Sequence, residues 1–459
     1  MKLSSLIFTS SAFMAGSVTA FSSVTTTTDI ARPFTSTQIY QFATAQGGGM
    51  VDVLDIYSPR DVYSMDEWAT QYGMQKADGV ELYSEDGGSD YSLMTQGGVA
   101  AGQSVVYVPA SIVLNSASVQ QEFGTSLQQA EAAIVQIDQR TQAGAQYRLP
   151  LFRLMVKILV EYEKGQESMY YPWLNSLPRQ FFNGVSMTKA CFKCLPPYAG
   201  WLTSTERINY SHFAMALRQG YVPLSQQTIS NKEVVKWAYN VALTRFHEVW
   251  QPERTKLIAP MADMLNHAAE PNCEISVDYE GNVNVVALYD VPAGSALTIS
   301  LGDPTNPTPI FAQYGFLPQD CATIFCKAMH LEAGIRDLGY EFGELLFQTE
   351  TGEIAPKVWD IFLYDVLQQN DPGSAQQFCM ACQNNDEATK QNYQDQYFPY
   401  TLDALKQHVY SIMSDSENLT YQAQSYDLQT HPRVPVIVAH NQLVSQTFGM
   451  TAALLEQMG

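Results

Sequence analysis

Residues 257–276 read LIAPMADMLNHAAEPNCEIS: an apolar run leads to Asp263 and then to the pair Asn266-His267, after which a strand-like segment opens. A carboxylate, a carboxamide and an imidazole within one short stretch bring acceptors, donors and a titratable ring together. Upstream, LTRFHEVW adds Thr244 and Arg245; downstream, ISLGDPTNPTPIFAQYGF adds Leu301, Asn306 and Tyr314. Each of these residues also admits a purely architectural role. Asn-His can end a helix or make a turn, Arg245 and Asp263 can form a buried ion pair that fixes the fold, and Tyr314 can be core. Two close cysteine pairs, Cys191-Cys194 and Cys379-Cys382, raise the question of zinc. They lie far apart in sequence and lack the compact turn chemistry of a zinc ribbon, so buried thiols or local redox pairs are expected, and no metal.

The elements that must position these groups follow from periodicity. Residues 79–109 alternate apolar and polar positions between Gly-Gly pairs, which predicts small strands and turns. Leu127, Ala130, Ile134 and Ile137, and then Leu151, Leu154, Met155, Ile158 and Leu159, recur at helical spacing, so a helical insertion is expected over about 118–235. Strands return over 257–301, where VNVVALYDVPAGSALTISL holds two β-rich runs split by Pro292-Ala293-Gly294. Beyond about 320 the pattern is helical, and the Gln/Asn/Asp-rich segment 368–396 reads as a surface loop. No internal repeat is present.

At 459 residues, the chain exceeds one ordinary core, and two folded units are the default expectation. Its 46% hydrophobic and 15% charged residues mark a globular protein. A formal charge of −21 repels phosphate backbones, so nucleic acid is not an expected partner; the charge serves either as a solvated surface or to steer a basic partner. Residues 1–20, with Lys2, an apolar run and Val18-Thr19-Ala20, read as a signal peptide, and residues 21–45, rich in Ser and Thr, as a transit peptide. Together they resemble the bipartite plastid presequences of algae with complex plastids. Simple secretion is the alternative, and the sequons at Asn209 and Asn418 permit it. No later apolar run reaches the ~18 residues that span a bilayer, so stable membrane insertion is not expected; a monomer is.

The order of a strand cluster, a helical insertion, a second strand cluster carrying APMADMLNH, and then YGF resembles the SET-domain methyltransferases, in particular the subfamily of Rubisco large-subunit lysine methyltransferase. The resemblance covers residues 79–316 within an expected SET region of 46–317, and residues 320–459 resemble the helical substrate-binding domain of that subfamily. It implies an α+β fold of small sheets with a helical insertion, followed by an all-α C-terminal domain. It also implies S-adenosyl-L-methionine as cofactor and a lysine-containing protein as substrate. Cofactor and substrate would enter from opposite faces and meet in a narrow channel. Asn266 and His267 would hold the cofactor's amino group and adenine. Thr244, Arg245 and Asp263 would offer main-chain carbonyls to the incoming amine, and Tyr314 would close the pocket; Arg245, Asp263 and Tyr314 form the implied catalytic set. Asn306 matches an asparagine that the family keeps ahead of this tyrosine.

Two positions depart from the family's pattern. Where it has a Gly-x-Gly turn against the cofactor, this chain reads Asp90-Tyr91-Ser92, which makes Asp90 and Ser92 the cofactor-contact positions, although Gly87-Gly88 nearby can shift the turn and restore room. Where the family ends its last SET strand with a tyrosine, this chain has Leu301 in the substrate channel. Loss of one such preorganised polar contact typically costs about 2.7–4 kcal/mol of transition-state stabilisation. Two readings of different class follow: a protein-lysine N-methyltransferase acting on a plastid protein, or a SET-derived module that binds a protein with weak or no turnover.

Overall fold

A computed structural model describes residues 49–84, 87–88, 90–138, 145–250, 254–303, 306–318, 321–325 and 328–459. The presequence expected over residues 1–45 lies outside them.

Helix α1 (Val62–Gln71) starts where the Asp61 side chain accepts from the Ser64 amide. The short strands β1 (Gln75–Lys76), β2 (Val80–Tyr83), β3 (Ser92–Thr95), β4 (Ser104–Val108) and β5 (Leu114–Asn115) follow. Next comes a run of helices: α2 (Ser116–Phe123), α3 (Thr125–Asp138), α4 (Ala145–Lys164), α5 (Tyr171–Ser176), α6 (Lys189–Phe192), α7 (Pro197–Gln219), α8 (Gln226–Ser230) and α9 (Lys232–Arg245). The residues that predicted α3 and α4 do face the core: Leu127, Ala130, Ile134 and all five apolar positions of α4 are buried, while Ile137 is half-buried. Strands β6 (His247–Trp250), β7 (Arg254–Ile258), β8 (Asn266–His267), β9 (Cys273–Val277), β10 (Val283–Ala287) and β11 (Ser295–Ile299) then return to the sheets.

Three small sheets result, with strand orders β1-β4-β10-β9, β2-β3-β11-β8 and β5-β7-β6. Pairing is antiparallel except between β8 and β11, where Asn266 lies beside Thr298 and His267 beside Ile299. In β10, VNVVA buries every second side chain, as a strand with one face on a core should. The small sheets around a helical insertion expected from the sequence are thus present.

After α10 (Pro307–Tyr314) the chain forms β12 (Thr323–Phe325), α11 (Glu332–Asp337), β13 (Leu346–Gln348), α12 (Pro356–Asn370), α13 (Pro372–Gln383), α14 (Glu387–Gln424) and α15 (Val434–Met458). This region is helical apart from the antiparallel pair β12–β13. Residues 324–455 have a core of their own. A further apolar cluster joins Met187, Cys191, Leu195 and Phe311 to Ala423, Val434 and Ile437, so α15 packs on the insertion as well as on the C-terminal core.

Segment 368–396 corrects the loop expected there, since α12 ends in it, α13 lies wholly within it and α14 begins in it. Asp371 caps α13 with Pro372 at its first position, and Asp386 caps α14. Glutamine is a good helix former, so polarity by itself does not mean loop. No described helix is long and apolar enough to cross a membrane.

Candidate active site

Helix α9 begins at Asn231, whose side chain accepts from the Glu233 and Val234 amides, and it is buried from Val234 to Leu243 with one half-buried exception, Lys236. A helix apolar on nearly every side belongs inside a domain, so its C-terminal turn emerges in the interior. That turn presents Thr244 and Arg245, and the next extended residues put His247 at the head of β6. From β7 the chain bends at Met261, which is buried at φ 76°, a conformation that a side chain other than glycine rarely adopts. The bend turns a short 3-10 segment, Ala262–Met264, inward and delivers Asp263, then Asn266. Helix α10 is fixed by Asn306, which is fully buried and accepts from the Thr308 amide, with Pro307 at the first helical position. It ends on Tyr314. The following Gly315 has φ 86°, and a Cβ there would lie 2.4 Å from the Phe182 carbonyl carbon, so glycine is required for the turn.

These three ends converge on a cavity of about 730 Å3. Of the residues expected at the site, Thr244, Arg245, Asp263, Asn266, Leu301, Tyr314 and Asp90 line it. His267 and Ser92 do not. The His267 ring works behind the wall, where its Nδ1 accepts from the Leu301 amide at 3.1 Å and so positions that residue. Ser92 is the buried first residue of β3. Gly87 and Gly88, at φ 82° and 122°, line the cavity beside Asp90, and a Cβ on Gly87 would meet nothing within 4 Å. The turn therefore carries its glycines earlier than Asp90-Tyr91-Ser92 and leaves the wall open there.

A second cavity, of about 560 Å3, lies along β6, β9 and the end of β11. The two share three lining residues, His247, Leu301 and Tyr314. These three residues stand where the two cavities adjoin.

The charge arrangement is specific. Arg245 Nη1 donates at 2.6 Å to the main-chain carbonyl of Asp263, so the buried Arg245–Asp263 ion pair considered above is replaced by a guanidinium–carbonyl contact. The Asp263 carboxylate receives Trp173 Nε1 at 3.0 Å on Oδ2, while its buried Oδ1 has no partner. Burial raises the Asp263 carboxyl above its ordinary range, with Arg245 opposing. Burial also holds the Tyr314 hydroxyl protonated far into alkaline pH. His247 is pushed down to about 4, first by burial and then by Arg245, and is neutral at physiological pH. Arg60 lies on the same wall, 5.0 Å above the Tyr91 ring, with Nε donating to the Ser176 carbonyl at 2.7 Å. Burial first and Arg245 second lower it to about 10.

Sequence reasoning missed Arg60 and Arg179, which precede or interrupt the motifs, and gave no role to His247. Arg179 is spent on the carbonyls of Leu174, Leu177 and Asn175 and shapes the 178–182 wall. Only His247 carried a legible signal, a histidine opening a strand two residues after Arg245. Among the described residues no three His, Cys, Asp or Glu side chains gather as a metal site would require.

The family model of the SET domain matches residues 91–302. The chain contains a SET domain. Solved structures extend the likeness beyond that span. The SET domain of LSMT bound to lysine and AdoHcy superposes with a TM-score of 0.58 at 13% identity, covering 86% of this chain and 91% of that one. Rubisco LSMT bound to sinefungin and monomethyllysine gives 0.56 at 12% identity, over 87% and 92% of the two chains. Rubisco LSMT bound to AdoMet gives 0.53 at 12% identity over the same shares. The SET-domain chain therefore shares the fold of these structures, C-terminal helices included. No curated protein matches it in sequence.

Proposed function

We propose that this SET-domain chain is an S-adenosyl-L-methionine-dependent protein-lysine N-methyltransferase acting on a plastid protein. The observation that carries the reading is a pair of adjoining cavities that share His247, Leu301 and Tyr314 as lining, one of them walled by Asn266 and the other running along β6 and β9. A methyl donor and an acceptor amine that arrive from opposite sides need such a junction, because in-line transfer is chiefly a matter of positioning.

The first cavity fits the cofactor. The Gly87-Gly88 stretch keeps the wall free of side-chain bulk, Asn266 is exposed to it, and both Asp90 and Arg60 border it, opposite charges suited to an ammonium and a carboxylate. When bound, the cofactor supplies a methyl group on a sulfonium. The protein's own part is to hold and to exclude. Met261 and Gly315 hold Asp263 and Tyr314 in place, His267 pins the Leu301 backbone, and the guanidinium of Arg245 disfavours a second cation beside it. An amine there is favoured in its neutral form, with its lone pair available.

Leu301 supports a second reading, in which the chain binds protein with weak turnover, because it brings no polar atom to the junction. The plastid assignment rests on the Ala20-Phe21 junction and the Ser/Thr-rich segment after it.

Calorimetric titration with S-adenosyl-L-methionine, followed by transfer of labelled methyl groups to a plastid extract, tests both readings. The enzyme binds the cofactor, and Asn266→Ala weakens that binding by about 1–3 kcal/mol. Leu301→Tyr raises transfer with little change in cofactor affinity. Absence of cofactor binding at millimolar concentration, together with no gain in Leu301→Tyr, overturns the enzyme and leaves the binding module. A fluorescent fusion of residues 1–45 that accumulates in the medium overturns the plastid assignment.

A further inference from the structure

We propose that His247 is the amine-positioning residue of this site, accepting a hydrogen bond from the substrate nitrogen at the junction of the two cavities. The inference rests on the methyltransferase reading and names a group within it.

Three residues wall both cavities, and they differ in what they offer an amine. Leu301 offers nothing polar. Tyr314 keeps its hydroxyl proton, since burial pushes its ionisation out of reach. His247 is partly accessible, yet its Nε2 is shut off from solvent and has no hydrogen-bond partner. A buried polar atom is nearly always paired; the ring lines both cavities, so a side-chain turn on binding brings this nitrogen to a partner from outside the chain. Burial and the Arg245 guanidinium keep the imidazole neutral, so one ring nitrogen retains a lone pair.

A neutral amine has two N–H groups and one lone pair. Transfer uses the lone pair, so the hydrogens need acceptors or the nitrogen turns freely. The Asp263 carbonyl already receives Arg245 at 2.6 Å on one of its two lone pairs, and beside the main-chain carbonyls the imidazole nitrogen is a side-chain acceptor not yet engaged. The amine sheds its ammonium proton to water before it enters, and its nitrogen gains the methyl carbon as the carbon–sulfur bond breaks. The methylammonium formed then releases a proton to solvent. His247 takes no proton in this sequence. It holds the nitrogen so that the lone pair faces the other cavity.

The test is calorimetric titration of L-lysine into full-length protein saturated with S-adenosylhomocysteine, for wild type, His247→Phe and His247→Gln. His247→Phe keeps the ring and removes both nitrogens; His247→Gln restores an acceptor. The expected result is at least a tenfold loss of lysine affinity in His247→Phe, recovery of most of it in His247→Gln, and S-adenosylhomocysteine affinity within twofold throughout. Labelled-methyl transfer to L-lysine should fall in kcat in the same order. Equal lysine affinity in wild type and His247→Phe overturns the proposal and leaves the methyltransferase reading standing, as does failure of His247→Gln to improve on His247→Phe. Failure of the wild type to bind S-adenosylhomocysteine overturns both. If His247→Phe does not fold, as judged by its circular dichroism, His247→Leu takes its place: lysine affinity of His247→Gln less than tenfold above that of His247→Leu is fatal to the proposal, and affinity tenfold or more above it supports it.

Discussion

Asp360 in the C-terminal helices and Asp263 in the SET region are buried to 0% and 6% exposure, but they differ in company. Both oxygens of Asp360 are engaged: Tyr340 at 2.6 Å and Lys390 at 2.9 Å on Oδ2, and Gln394 at 2.6 Å on Oδ1. Asp263 has Trp173 on one oxygen and nothing on the other. The same contrast separates two histidines. His408 is boxed in by Phe362, Phe448 and His330 within the C-terminal core, whereas His247 borders two cavities. A completed polar cluster ties helices together. An incomplete one beside a cavity is a place where the fold leaves hydrogen-bonding capacity for an incoming molecule.

The largest expected effect breaks the completed cluster. Asp360→Ala leaves Lys390 buried with only Glu387 as counterion and should cost about 3–5 kcal/mol in denaturant unfolding. A cost below about 1 kcal/mol would show that this network is not what joins α12 to α14.

Acid sharpens the comparison of the histidines. Both are held neutral in the fold down to about 4, His247 by burial and Arg245, His408 by burial and His330. In the unfolded chain, histidine titrates near 6.5. Above that pH neither state takes up a proton and neither ring affects stability. Below it the unfolded chain binds protons that the fold refuses, so stability falls as pH drops from about 6.5 to about 4, by up to about 3 kcal/mol for each ring. Thermal melts across this range should show a shallower decline for His247→Phe than for wild type. Parallel curves would mean that His247 is protonated in the folded protein.

The smallest expected effect on stability is at Asp263. Asp263→Asn keeps an acceptor for Trp173 and removes a buried charge with one open oxygen, so stability should change by less than about 1 kcal/mol, while methyl transfer falls. Destabilisation equal to that of Asp360→Asn in the same unfolding assay would erase the distinction between the two regions.

Much of the site was legible because short-range patterns specify it. Helical spacing marked α3 and α4, a β-rich run marked β10, and LTRFHEVW, APMADMLNH and YGF set Thr244, Arg245, Asp263, Asn266 and Tyr314 at the ends of elements. Capping chemistry was equally local. Asp371-Pro372 and Asp386 mark the helices that a polar composition disguised as a loop.

What the tertiary structure alone decided is which polar atoms end up with partners. Whether Arg245 meets the carboxylate of Asp263 or its carbonyl depends on the bend at Met261, and whether His267 faces the cavity or pins Leu301 depends on the parallel pairing of β8 with β11. Apart from the adjoining residues Ile56 to Pro59 and the turn with Gly87, Gly88 and Asp90, Arg60 joins a wall whose members lie 118 or more residues away. Residue type and spacing determine what a side chain can do locally. Its partner, its burial and hence its protonation are set by contacts between segments distant in sequence, which no local pattern encodes.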